Sequence, residues 1–229
     1  MTVFFFNSKK DIKISERAFK ILFKELNLRK NLNILISGGS SLKKIFSLII
    51  SRNVDLSNVN LILSDERIVS EKSVNSNVCN IKNNFINKIR KEKRPNFIFP
   101  SIKNINMSNK NIYKNFKYKL NVLPNLAFIG VGKDGHIASI FFNDIKIQYT
   151  NSPFLICKKK NEKFRRVSLD MKYLINIPKT VVIIQDKKKS EILKDMLNYK
   201  TISIKKPILH LLRKSKGDIF ILYNKNIIK

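Results

Sequence analysis

The sequence predicts a single α/β domain over residues 1–229, a mainly parallel sheet flanked by helices on both faces. Three observations carry this reading. Compact apolar runs at 32–37, 59–64 and 126–131 have the length and continuity of strands buried on both sides. Segments with apolar residues at i, i+3, i+4 and i+7, the helical spacing, alternate with them. Each of the three runs also hands over to a glycine-rich or charged loop, and a parallel sheet brings such loops to one edge, where ligands bind.

The elements follow in order. The apolar TVFFF at 2–6 reads as a first strand, and Met1 to Asn7 lacks the basic leader and small-residue cleavage site of a signal peptide. Ser15 is placed to cap a helix whose inner face is Phe19, Leu22, Phe23 and Leu26. The strand at 32–37 ends in Gly38, Gly39, Ser40 and Ser41, and Leu42, Ile45, Phe46 and Ile49 predict the next helix. Free backbone N–H groups at such a helix start favour a phosphate or carboxylate, although a simple tight turn has equal standing because no GxGxxG or P-loop is present.

The strand at 59–64 runs into Asp65, Glu66 and Arg67, then a Ser/Asn-rich loop through Asn77 and a helix over 78–90. Phe97 to Pro100 read as a short strand or a connector, and Ser108 is placed to cap a helix reaching about Leu120. The run at 126–131 ends in Gly130, Val131 and Gly132, and a charged turn, Lys133, Asp134 and Gly135, delivers His136. His136 is one of two histidines, and histidine is the side chain whose ordinary pKa suits proton transfer near neutrality. Further strands are expected at 154–158, 167–169, 180–185 and 218–223, with a helix near 187–198 that turns Ile192, Leu193, Met196 and Leu197 inward.

Composition limits the partners. The 46 Lys and Arg against 16 Asp and Glu give a formal charge of +30, which raises nucleic acid as a first hypothesis. The lysines, however, accompany Asn and Ile throughout, without a basic stripe interleaved with aromatics. The densest cluster, Lys158 to Lys160 with Lys163, Arg165 and Arg166, reads as a hairpin face or an anion-binding edge, so nucleic acid is not the expected partner. No apolar run approaches the roughly 20 residues that span a bilayer. Cys79 and Cys157 stand far apart in no CxxC or Cys/His cluster, which suggests neither disulfides nor zinc and fits a reducing cytoplasm. There is no GxSxG elbow, and His136 with Asp134 falls short of a metal ligand set.

The loops resemble, in order and spacing, the motifs of the 6-phosphogluconolactonases: ISGGSS at 36–41, SDER at 64–67 with NSN at 75–77, and GVGKDGHIAS at 130–139. RVSL at 166–169 and the strand leading to Lys189 are similar to later segments of that family, so the resemblance covers nearly the whole chain. Departures are Ser41 and Leu42 where the family has Thr-Pro, Asp186 where it has a glycine, and Phe164 and Arg165 where it has a proline. Asp186 brings an anion towards Lys189.

The resemblance implies a Rossmann-like fold of the sugar-phosphate isomerase type. It also implies hydrolysis of 6-phospho-D-glucono-1,5-lactone to 6-phospho-D-gluconate in the oxidative pentose phosphate pathway, by a cytoplasmic, monomeric carboxylic ester hydrolase that takes a small phosphosugar lactone and uses no cofactor. On that reading His136 is the general base, and Asp134 or Asp65 orients a side chain or a substrate hydroxyl. The loop of Gly38, Gly39 and Ser40 meets the substrate, with oxyanion donors near Gly39 or Gly135. Arg67 and Arg166 can grip the phosphate bidentately, and Lys189 acts as a point charge. Glucosamine-6-phosphate deaminases, related by fold, carry a similar Asp-Gly-His, but follow it with Asn-Glu-Pro where this chain has Ile137, Ala138 and Ser139. An isomerase or deaminase on the same fold and a non-catalytic basic binding module remain the alternatives.

Overall fold

The computed structural model describes residues 1–102, 106–117, 123–142, 154–159, 162–202 and 205–228. In chain order the elements are β1 (Val3–Ser8), α1 (Asp11–Leu28), β2 (Leu32–Ile36), α2 (Lys43–Ser51), β3 (Val59–Leu63), β4 (Asp65–Arg67), α3 (Asn77–Asn84), β5 (Asn96–Ile98) and α4 (Asn109–Lys117). The second half adds β6 (Leu126–Ile129), β7 (Phe154–Cys157), β8 (Arg166–Leu169), α5 (Met171–Leu174), β9 (Lys179–Ile184), α6 (Ser190–Leu197), α7 (Pro207–Lys214) and β10 (Asp218–Asn224).

Seven strands form one parallel sheet in the order β1-β10-β9-β6-β2-β3-β5. The strands are apolar on both faces because each face has its own core. Leu32, Ile34 and Ile36 of β2 point to the layer built by α1, α2 and α3, while Leu35 points to the layer that contains α5, α6 and α7. β6 repeats the pattern, with Leu126 and Phe128 on the first side and Ala127 and Ile129 on the second. From β2 the chain winds outward through β3 and β5; from β6 it winds the other way through β9 and β10. The reversal between β2 and β6 opens a crevice at their carboxyl ends.

Four local features differ from the sequence expectation. α1 begins at Asp11, an acidic first-turn residue suited to the helix dipole, so Ser15 lies inside the helix and donates its Oγ hydrogen to the Asp11 carbonyl at 3.2 Å. The helix expected over 78–90 ends at Asn84 and continues as a separate 3₁₀ turn. Asp65, Glu66 and Arg67 are not a loop: they form β4, the edge of a second, antiparallel sheet ordered β4-β8-β7. α7, only eight residues long, was not expected, although Pro207 at its first turn marks its start and His210, Arg213 and Lys214 recur at helical spacing. The helix expected to run to Leu120 is described as far as Lys117, and Ser108 caps it by accepting from the Asn111 N–H at 3.3 Å.

Candidate active site

The crevice at the strand reversal is stitched together by backbone and hydroxyl groups of the two loops that flank it. The Ser37 N–H donates to the Phe128 carbonyl at 3.1 Å, and the Gly130 N–H donates to Ser37 Oγ at 3.0 Å. Gly38, Gly39, Ser40 and Ser41 then pass into a 3₁₀ turn ahead of α2 and line one wall of a cleft of about 190 Å³.

Beyond β6 the chain makes a tight return that carries the histidine. The Gly135 N–H donates to the Gly132 carbonyl at 3.0 Å and the Gly132 N–H to the His136 carbonyl at 2.9 Å. Gly135 has φ +84°, a conformation that favours glycine, and a Cβ on Gly132 would collide with the imidazole. His136 Nδ1 and Asp134 Oδ1 make a short hydrogen bond, and the same oxygen accepts the His136 N–H at 3.3 Å. That contact with His136, outweighing the opposing effect of burial, holds the Asp134 carboxyl well below the usual carboxylate range. An ionised Asp134 fixes the proton on Nδ1 and leaves Nε2 with its lone pair.

The cations come mainly from the small sheet. Arg67 and Arg166 are directly opposed partners across β4 and β8, so two guanidinium groups leave the same face side by side. Arg67 Nη1 donates to the Asn75 carbonyl at 2.7 Å, while its buried Nε has no partner among the described residues. Arg166, whose side chain is only 7% exposed, is gripped by Glu162 through Nε at 2.9 Å and Nη2 at 2.7 and 2.8 Å, and its Nη1 reaches Ser139 Oγ at 3.3 Å. From α6's side, Lys189 brings Nζ within 3.4 Å of Ser41 Oγ. Burial pushes this ammonium down, with Asp186 working against it. The Asp186 carboxylate itself is occupied in accepting the Lys188 N–H at 2.9 Å.

Two carboxylates hold the frame. Asp65 accepts from Ser64 Oγ at 2.9 Å and Ser139 Oγ at 2.6 Å. Glu66 is 1% exposed and caps α3, accepting the N–H groups of Arg67, Asn77 and Val78 at 2.6, 2.8 and 2.7 Å and the Ser76 hydroxyl at 3.0 Å. Burial pushes its carboxyl up, and the donors around it pull the other way.

Gly38, Gly39, Ser40, Asp65, Arg67, His136, Arg166 and Lys189 all line this one cleft, and Asp134 stands behind His136. The sequence reading gave no role to Ser139, which links Asp65 to Arg166, or to Glu162, which occupies Arg166. The four-residue interval from Glu162 to Arg166 was visible in the sequence. It indicates a contact only within a helix, and Arg166 lies in a strand. Among the described residues no group of three or more His, Cys, Asp or Glu side chains gathers as a metal site.

A family model described as glucosamine-6-phosphate isomerases/6-phosphogluconolactonase matches residues 12–221. A 6-phosphogluconolactonase of Xylella fastidiosa is 26% identical over 196 residues, covering 82% of this chain and 80% of its own. The solved structure of 6-phosphogluconolactonase from Trypanosoma brucei superposes with a TM-score of 0.83 at 17% identity, covering 99% of this chain and 97% of that one. A monomeric glucosamine-6-phosphate deaminase superposes with a TM-score of 0.78 at 15% identity over 100% of both chains.

Proposed function

The chain belongs to the glucosamine-6-phosphate isomerase/6-phosphogluconolactonase family, and from that premise we propose that it hydrolyses 6-phospho-D-glucono-1,5-lactone to 6-phospho-D-gluconate. The observation that carries the proposal is the Asp134–His136 pair facing a cleft shared with Arg67, Arg166 and Lys189. Ester hydrolysis needs a base for water, donors for the developing oxyanion and cations for the phosphate. His136 Nε2 takes the proton from water as its oxygen attacks the lactone carbonyl carbon. Asp134 stabilises the resulting imidazolium, and the proton passes to the ring oxygen as the carbonyl carbon–oxygen bond breaks. The N–H groups of the Gly38 to Ser41 loop or those beside Gly135 receive the oxyanion. Arg67 and Arg166 present planar forks to the phosphate, with Lys189 as a compact charge at the start of α6.

Lactone hydrolysis is favoured over deamination by the state of the acids. Among the described residues the carboxylates at the cleft are Asp65, whose two oxygens accept serine hydroxyls, and Glu162, whose two oxygens are engaged by Arg166. Ring opening and deamination call for a further acidic side chain at the sugar ring. The tight return after His136 continues instead through Ala138, which has φ +48°, into buried Ser139 and Ile140. The test is hydrolysis of freshly generated lactone, corrected for its spontaneous decay, by the protein and by His136→Ala. A fall of about 10²- to 10⁴-fold in kcat in a variant with unchanged circular dichroism is expected. An inactive wild-type protein overturns the lactonase reading, and a fully active His136→Ala removes the base.

A further inference from the structure

We infer that Glu162 is a specificity-determining residue, an internal carboxylate seated on Arg166 in the place of the substrate's phosphate, which a ligand must displace to bind. The inference rests on the phosphosugar reading of the cleft. It begins with the register of the small sheet. Arg67 and Arg166 are directly opposed across β4 and β8, and like charges in that relation repel unless an anion lies between or upon them. Lys189 adds a third cation to the same cleft. Three cations around a space of about 190 Å³ define an anion site, and one of the three is already neutralised by a side chain of the protein itself.

The manner of neutralisation is specific. Glu162 takes the Nε and Nη2 edge of the guanidinium with both oxygens, at 2.7 to 2.9 Å. This is the fork-to-fork arrangement by which arginine binds a phosphate. The remaining Nη1 is directed to Ser139 Oγ, and the rings of Phe141 and Phe164 stand 5.7 and 5.6 Å from the guanidinium carbon. Arg166 therefore has no second free edge for a bidentate ligand. The Glu162 N–H donates to the Lys159 carbonyl, and the Glu162 side chain is 24% exposed against 7% for Arg166. The carboxylate is thus the partner nearer solvent and the one able to leave.

The consequence is a threshold for entry. A carboxylate bears one negative charge, and a phosphate monoester carries about −1.5 to −2 near neutrality with three acceptor oxygens, so the phosphate outcompetes Glu162 where a neutral sugar lactone cannot. Glu162 lowers the affinity for every phosphosugar somewhat while excluding ligands that lack the phosphate.

Isothermal titration of 6-phosphogluconate and of inorganic phosphate into the wild-type protein, Glu162→Gln and Glu162→Asp tests this without turnover. Loss of a competing charged contact should tighten both anions on the order of tenfold in Glu162→Gln, with Glu162→Asp between it and wild type. The gain should vanish in Glu162→Gln/Arg166→Lys, because the competition is for Arg166. Unchanged or weaker binding in a Glu162→Gln protein that melts with wild type overturns the inference, since a merely structural anchor can only lose affinity when removed. If instead the anions tighten while the lactone is not hydrolysed, the displaced carboxylate stands and the lactonase reading fails.

Discussion

Two concave regions lie at opposite edges of the same parallel strands, and the smaller of the two is the candidate site. At the amino ends of β2 and β3, between the ends of α1 and α2, lies an open groove of about 1030 Å³; at the carboxyl ends of β2 and β6 lies the cleft of about 190 Å³. Both are basic. The groove is lined by Lys20, Lys24, Arg29, Lys30 and Arg52 together with Asp55 and with apolar residues that include Phe23 and Leu28, 47% and 66% exposed. Arg52 lies over the Phe19 ring at 4.5 Å and Arg29 pairs with Glu25. The groove also faces helix carboxyl ends, whose partial negative charge disfavours anions, whereas the cleft faces the start of α2. Volume and net charge do not distinguish a site here; convergence of side chains, set by strand direction, does.

The largest effects should come from breaking that convergence. His136→Ala removes the base and carries the 10²- to 10⁴-fold loss given above. Glu66→Ala attacks the frame instead. It strips a buried carboxylate from three backbone N–H groups and a hydroxyl, and buried groups left unsatisfied cost about 1–3 kcal/mol each, so a loss of roughly 3 kcal/mol in a urea titration is expected. A Glu66→Ala protein as stable as wild type would mean that the β4–α3 junction is held by something other than this cap. Arg67→Ala should come next, raising KM with a fall in kcat/KM of about ten- to a hundredfold, the worth of one charge-assisted phosphate contact. A change in kcat alone would reassign Arg67 from the phosphate to the reacting centre.

What was legible in the sequence divides along the same line. Strands buried on both faces announce themselves as apolar runs, so β2, β3, β6, β9 and β10 were found within a residue or two, together with the loops at their carboxyl ends. The three ordered motifs and the two later segments that end in or hold Lys189 and Arg166 then named every predicted residue that lines the cleft. Of the small antiparallel sheet, β7 and β8 were found within a residue, but β4 and the pairing that joins the three were not legible. β4 consists of Asp65, Glu66 and Arg67, charges that read as a turn until the fold buries the first two, and its partner β8 follows roughly a hundred residues later. With the β4–β8 pairing unseen, neither the opposition of Arg67 and Arg166 nor the carboxylate on Arg166 could be foreseen. Glu66 looked like one of three surface charges, and only the packing of α3 against it shows a cap.

The smallest expected effect is the sharpest test of the comparison, because it holds the chemistry of the substitution constant. Lys24→Glu in the groove and Lys189→Glu in the cleft each change the net charge by the same amount. Strand β2, Leu32 to Ile36, separates the two edges, and its four rises amount to roughly 13 Å. That exceeds the Debye length of about 8 Å at physiological salt, so a reversed charge in the groove is screened from the cleft. Lys24→Glu should leave kcat/KM within about twofold at 0.15 M salt, as surface substitutions away from a site do for stability. Lys189→Glu places an anion against Ser41 and should lower kcat/KM at least on the order of tenfold through lost phosphate affinity. Equal losses in the two variants would show that substrate capture depends on the field of the whole basic surface rather than on the groups converging at the carboxyl edge.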